Sequence, residues 1–276
     1  MRRLLTFATL FASLLPLSPA AEEVSTQDGL KDAWEKGGEI KLTADISITD
    51  NDEDTQWKAA DNITLTGDVG TKLILYQRDI GMGTQALLTA TGYSVSISNI
   101  TLQNQTAAYM IEESSLEEPS LETPSLSLTD VTIASHSATS ATAAECTNLT
   151  LSGTLTLDLN SPCNTLLSCS GSLTCSTDFS GITINIGNDF SLGNGGATNL
   201  ILFSGTAPEK VEELKCTVTG ASGYYVVLQN MPGGTVLCLV PEPGSATLTL
   251  IGLIALLHRR RRPCGRGIHG GAYVRG

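Results

Sequence analysis

The chain has 276 residues, with 16 Lys and Arg against 28 Asp and Glu, and a formal net charge of −12. Residues 21 to 240 carry the imbalance, eight cations against 27 acids, which excludes nucleic acid and anionic membrane surfaces as partners because both would be repelled. That stretch, about 220 residues, is long enough to bury one sizeable core.

The chain opens with an export signal. Arg2 and Arg3 form a positive n-region, Leu4 to Leu17 an apolar h-region, and Ser18-Pro19-Ala20 supplies the small residues that signal peptidase reads. Residues 1–20 are expected to be a signal peptide cut after Ala20. Ser25 follows as a candidate N-cap with Asp28 three residues on, and Gly29 to Lys36 sets Leu30 and Trp34 on one face before Gly37-Gly38 stops the helix.

Ile40, Leu42, Ile46 and Ile48 then alternate with polar residues in the period of strands, and no longer helix is expected before the tail. In "TDNDEDTQWKAAD", Asp50, Asp52 and Asp54 have the 1-3-5 spacing of a calcium loop, with Asp61 at position 12. Thr55 stands where that turn wants glycine, however, and Lys58 occupies position nine. No metal or cofactor is assigned, and the three aspartates stand as a calcium candidate beside the simpler reading of a solvated acidic loop.

An internal repeat carries the fold. "SVSISNITLQN" holds Val95, Ile97, Ile100 and Leu102, so the alternation slips by one residue at Ser98-Asn99. "SLSLTDVTIAS" holds Leu126, Leu128, Val131 and Ile133, with the same slip at Thr129-Asp130 and an offset of 31 residues throughout. A chain slips in this way when it turns a corner while keeping its apolar side chains inward. Ile63, Leu65, Leu73 and Leu75, then Leu149, Leu151, Leu155 and Leu157, then Ile182, Ile184 and Ile186 continue the pattern.

Stacked coils of this kind bury a core that no single coil could bury alone. The expected fold is all-β: a single-stranded right-handed parallel β-helix, or β-solenoid, over residues 21–239 with a short N-terminal capping helix. An antiparallel β-sandwich is the alternative, since short strands at regular intervals would also build one. The stretch "DGLKDAWEKGGEIKLTADISIT" resembles the opening of pectate-lyase-like right-handed parallel β-helix proteins, and the resemblance implies that the helix covers the first coil.

Between the repeats, "SSLEEPSLETPSLSL" combines prolines and glutamates that disfavour a sheet ladder and reads as a protruding loop. Catalysis finds little support. Lyases of the resembled family use Arg or Lys as base, yet no Lys or Arg lies between Asp79 and Glu209. Asp130, Glu145, Asp158, Asp178 and Asp189 are scattered, and His136 in "IASHSAT" has no Gly-x-Ser-x-Gly partner. No catalytic residue is assigned.

Six cysteines fall in the exported part: Cys146, Cys163, Cys169, Cys175, Cys216 and Cys238. An even number in an oxidising compartment makes all six disulfide candidates, with 15 connectivities open. Free or core thiols are the alternative, while a zinc site is disfavoured by the spacing and the single histidine. "YYVVLQNMPGGTVLCLV" then reads as a hairpin turning at Pro232-Gly233-Gly234.

The chain closes on a second address. Val240-Pro241-Glu242-Pro243 precedes 14 uncharged residues, Gly244 to Leu257, and then Arg259, Arg260, Arg261 and Arg262. As a helix the uncharged run spans about 21 Å against a hydrocarbon core of ~30 Å, a marginal hold, and the arginines orient it with everything before Pro241 outside.

Residues 240–262 resemble the PEP-CTERM sorting signal of Gram-negative bacteria. The resemblance implies a hydrophobic transmembrane helix, transient inner-membrane anchoring, and exosortase, a membrane transpeptidase-like enzyme that cuts near Pro-Glu-Pro and delivers the protein to the outer surface or medium. Family members usually stop after the basic run. Here residues 263–276 follow as an extension expected to lack fixed structure.

The sequence therefore predicts an exported, surface-sorted, non-enzymatic solenoid of the cell surface or extracellular matrix, with polysaccharide contact or adhesion as its candidate role. Exosortase and signal peptidase are its processing partners. The alternative is an extracellular polysaccharide hydrolase or lyase on the same scaffold.

Overall fold

The phase slips of the sequence are corners in the structure, a computed structural model describing residues 20–49, 56–75, 87–104, 111–112, 124–135, 142–161, 165–192 and 196–242. In β7 (Val95–Asn104) and β9 (Ser125–Ser135) the chain turns at Asn99, φ 57°, and Asp130, φ 52°. This left-handed conformation is open to Asn and Asp because their short polar side chains satisfy the local backbone. One such residue reverses the alternation, so Ile97 and Ile100 both point inward.

The corner recurs around the stack with different contents. In β5 (Ile63–Leu75) the residues between Thr66 and Thr71 bulge out and leave Val69 94% exposed. In β11 (Asn148–Leu159) the register shifts between Ser152 and Leu155, and Gly153 takes the left-handed position at φ 58°.

These strands belong to a parallel sheet of order β1-β2-β5-β7-β9-β11-β14-β16, in which β3 also pairs β5 and β13 also pairs β11. Its remaining members are β1 (Glu22–Val24), β2 (Gly38–Leu42), β3 (Ile46–Ile48), β13 (Leu173–Cys175), β14 (Gly181–Ile186) and β16 (Thr217–Gly220). The second sheet stacks β4 (Trp57–Lys58), β6 (Leu88–Thr89), β8 (Ile111–Glu112), β10 (Ala144–Cys146), β12 (Leu167–Cys169) and β15 (Thr198–Phe203), all parallel. Only β17 (Tyr224–Met231) and β18 (Gly234–Pro241), at its end, run antiparallel among the described strands. The architecture is a β-solenoid, and parallel pairing rules out the sandwich.

Between the sheets runs one core of in-register columns. Ile46, Leu73, Leu102, Ile133, Leu157 and Ile184 stack in the first sheet, and Trp57, Leu88, Ile111, Ala144, Leu167 and Ile201 in the second. All are essentially buried, and each large one contributes about 1.5–3 kcal/mol relative to exposure.

Helix α1 (Gln27–Lys36) closes the N-terminal end by burying Leu30, Ala33 and Trp34. Its N-cap is Thr26, whose Oγ1 accepts the Gly29 N–H at 3.1 Å, rather than the neighbouring Ser25. Gly37 ends it at φ 81°, where a Cβ would stand 2.7 Å from that of Asp61. The Trp34 indole donates to the Thr89 carbonyl at 3.2 Å and ties the cap to the second sheet.

At the other end the β17–β18 hairpin turns through Pro232 and Gly233, the latter at φ 106°, as a type II turn requires. A 3₁₀ turn, Val211–Leu214, was not expected from the sequence and buries Leu214. The expected C-terminal hydrophobic helix lies outside the described residues, among which no helix is long and apolar enough to cross a membrane.

Candidate functional site

The outward positions of the first sheet carry hydroxyls in ranks. On the first limb Thr64, Ser96, Ser127, Thr150 and Thr174 stand in register, and two residues along each strand Thr66, Ser98, Thr129 and Ser152 form a second row. Beyond the corner Thr101, Thr132, Thr156, Thr183 and Thr217 make a third. The residues between them, such as Leu65, Ile97, Leu128 and Leu151, are buried, so the period of two points the hydroxyls out. Strand geometry sets them about 4.8 Å apart across coils and about 6.7 Å apart along a strand.

A fourth row is amide and carboxylate. Asn185 Nδ2 donates to Asp158 Oδ1 at 2.6 Å, and the Thr219 hydroxyl donates to Asn185 Oδ1, linking three successive coils.

At the corner these rows frame a notch of about 120 Å³ lined by Val69, Gly70, Asn99, Ile100, Thr101, Asp130 and Thr132. Asp130 is partly committed, since its Oδ1 accepts the Thr154 N–H at 2.9 Å. Asp178 on the same edge accepts hydroxyls from Ser176 and Ser152, which in that order hold its carboxyl below the usual carboxylate range. These acids brace adjacent coils, the structural use that their scatter in the sequence left unread. A glycosidase would instead need two carboxylates facing each other across a substrate.

A second hollow, about 280 Å³, lies at the C-terminal end between Leu173, Cys175, Thr206, Ala207, Pro208, Glu213 and Leu214. It forms because the chain above β13 leaves the sheet through Ala207-Pro208 and enters the 3₁₀ turn.

The cysteines split between core and surface. Cys146 and Cys169 are in register on β10 and β12 and buried, their thiols donating to the Ser168 and Thr147 carbonyls, each at 3.5 Å. In-register parallel neighbours hold their Cβ atoms near the strand spacing, wider than the ~3.8 Å that a disulfide prefers. Cys238 is buried on β18, and Cys216 is half-buried with its thiol pushed up to about 12 by desolvation. Cys175 is exposed. No disulfide joins two of the described cysteines.

Several sequence candidates, Asp50, Asp52, Asp54, Cys163, His136, Pro243 and Arg259 to Arg262, lie outside the described residues. Among the described residues no group of three or more His, Cys, Asp or Glu is placed to hold a metal ion. Asp61, the last position of the calcium spacing, accepts the Asn62 N–H at 2.7 Å.

Of the C-terminal motif, Val240 and Pro241 are the last residues of β18, opposite Tyr225 and Tyr224. The folded unit thus runs past Leu239, where the sequence placed its end. Compared with protein-family models, curated proteins and solved structures, the chain matches none.

Proposed function

We propose that this chain is an exported cell-surface or matrix protein of a Gram-negative bacterium, sorted by exosortase through its C-terminal Pro-Glu-Pro signal. It is non-enzymatic, and its solenoid contacts neutral polysaccharide through the hydroxyl-lined face. The winding is right-handed, the hand taken by nearly all parallel strand crossovers.

The observation that carries this reading is the ranks of Thr and Ser on the first sheet, whose middle coils, from β7 to β14, lie in a stretch holding no Lys or Arg between Asp79 and Glu209. Such a face offers donors and acceptors at fixed spacing to sugar hydroxyls. From β7 to β14 it offers no cation to a uronate, which argues for a neutral glycan there, while Lys41 and Lys72 continue two of the rows at the N-terminal end, in register with Thr66 and Thr101. The corner notch adds an apolar wall, Val69, beside an amide and hydroxyls, the mixture that a sugar ring meets on its face and its edge. The start of β1 at Glu22 fits export as well, because a cut after Ala20 leaves that strand whole.

The test is to present purified protein to immobilised neutral and acidic glycans and to follow both binding and new reducing ends or unsaturated products. Binding to neutral glycans without turnover, weakened at least about tenfold, or about 1.4 kcal/mol, by the double substitution Thr101→Val and Thr132→Val, is expected. Turnover would favour the hydrolase or lyase reading, and neither binding nor turnover would leave a passive coat component.

A further inference from the structure

The first residues of the sorting motif are part of the folded sheet. Val240 stands opposite Tyr225 and Pro241 opposite Tyr224, and the Glu242 N–H donates to the Gly223 carbonyl at 2.8 Å. Bonded and non-bonded positions alternate along an antiparallel pair. The bond at Glu242 therefore makes Val240 with Tyr225 the next bonded pair and leaves Pro241 in the non-bonded position between them. A proline has no N–H to give, and here the ladder to β17 asks for none.

An enzyme that cuts a peptide takes it as an extended segment with its backbone groups free to bond the enzyme. Val240 and Glu242 have theirs committed to Tyr225 of β17 and to Gly223 just before it, on a hairpin whose other side, from Thr235 to Leu239, is paired to β15. Reaching a bond N-terminal to Val240 would require stripping β18 from the second sheet, including Leu237 and Leu239, which are fully buried.

Resting on the sorting reading above, we infer that the processing cut falls C-terminal to Glu242. The mature protein then keeps Val240, Pro241 and Glu242 as the end of its last strand. The bond that breaks is an amide beyond Glu242. Its acyl carbon passes to the processing enzyme's nucleophile and from there to water or an acceptor amine, while the released tail leaves with the new amino group and its proton. The hairpin acts as the measuring edge, so the cut site is set by where pairing ends as well as by motif recognition.

The experiment expresses the full chain in an exosortase-bearing Gram-negative host and determines the C-terminus of surface and medium fractions by intact mass and C-terminal peptide sequencing. A C-terminus at Glu242 or later is expected. One at Pro241 or earlier overturns this inference and leaves the sorting reading standing, whereas an uncut tail in every fraction overturns the sorting reading and this inference with it. Tyr225→Pro removes the bonded pair with Val240 and is expected to add C-termini within residues 239 to 241. An unchanged C-terminus in that variant would show that pairing does not set the boundary. If the variant yields no folded protein, amide exchange on the full wild-type chain decides. Exchange at Val240 and Glu242 slowed at least about tenfold relative to an unstructured peptide supports the inference, and unprotected exchange overturns it.

Discussion

The two ends of the solenoid meet the same problem with different devices. Each terminal coil would expose core side chains and unpaired strand edges. At the N-terminus a separate element, α1, lies over the core with Leu30, Ala33 and Trp34 beneath it, while β1 places exposed Glu22 and Glu23 on the outermost strand. At the C-terminus the chain reverses into the β17–β18 hairpin, whose inner strand pairs β15 and whose outer strand carries the exposed Tyr225 and Met231. The first closure is a helix separate from the strands it covers. The second is continuous with the tail, so its stability and the state of the tail are linked.

The largest test of this contrast is Trp34→Ala, which empties a fully buried site under the helical cap and is expected to cost about 3–5 kcal/mol. Thermal melting checks it, with a fall on the order of 10 °C for a domain of this size. The matching change in the hairpin, Leu237→Ala, is expected to cost about 2–5 kcal/mol. Because β17 and β18 join the sheet at one edge, amide exchange in that variant should rise in β17 and β18 before β7 and β9. Equal exchange in all four would mean that the C-terminal closure has no local stability of its own.

A middle-sized effect sits at the corner. Asp130→Ala puts an unfavourable residue at φ 52° and removes the acceptor of the Thr154 N–H, and a loss of about 1–3 kcal/mol is expected by denaturant melting. Asn99→Gly, at the equivalent corner with φ 57°, should stay within about 0.5 kcal/mol of wild type.

The smallest effect is electrostatic. Ser176 first, then Ser152, lower the Asp178 pKa by hydrogen bonding to the carboxylate. A depressed folded-state value means that the contribution is present above the ordinary aspartate range and is lost as pH falls through the lowered one. Melting temperature followed on the acid side of that range should therefore drop slightly further in wild type than in Asp178→Asn. Parallel curves would show that the two serines do not favour the ionised form.

The corner explains how much of the fold could be read in advance. At Asn99 and Asp130 one left-handed residue shifts the parity of the apolar positions, so the bend is written into the alternation itself. At β11 the extra residue beside Gly153 restores parity, Leu151 and Leu155 keep the same phase, and the turn is invisible in the pattern. The two-residue strands β4, β6 and β8 are too short to have a period, and only burial of Trp57, Leu88 and Ile111 reveals the second sheet. Ser25 and Thr26 are chemically equivalent as caps, and tertiary placement chose the second. The hydroxyl rows were legible one strand at a time, as Thr64-x-Thr66 or Ser96-x-Ser98. Their alignment was not, because unequal loops separate them.

That inequality has a consequence for how such a molecule changes size. Thr101 and Thr132 sit one above the other across 31 positions of sequence, while Thr132 and Thr156 do so across 24. The contour of each rung can thus lengthen or shorten while the rise per rung stays near 4.8 Å. Copying or losing a whole rung would make the rod taller or shorter between two unchanged lids, so reach is a property this architecture can adjust in steps.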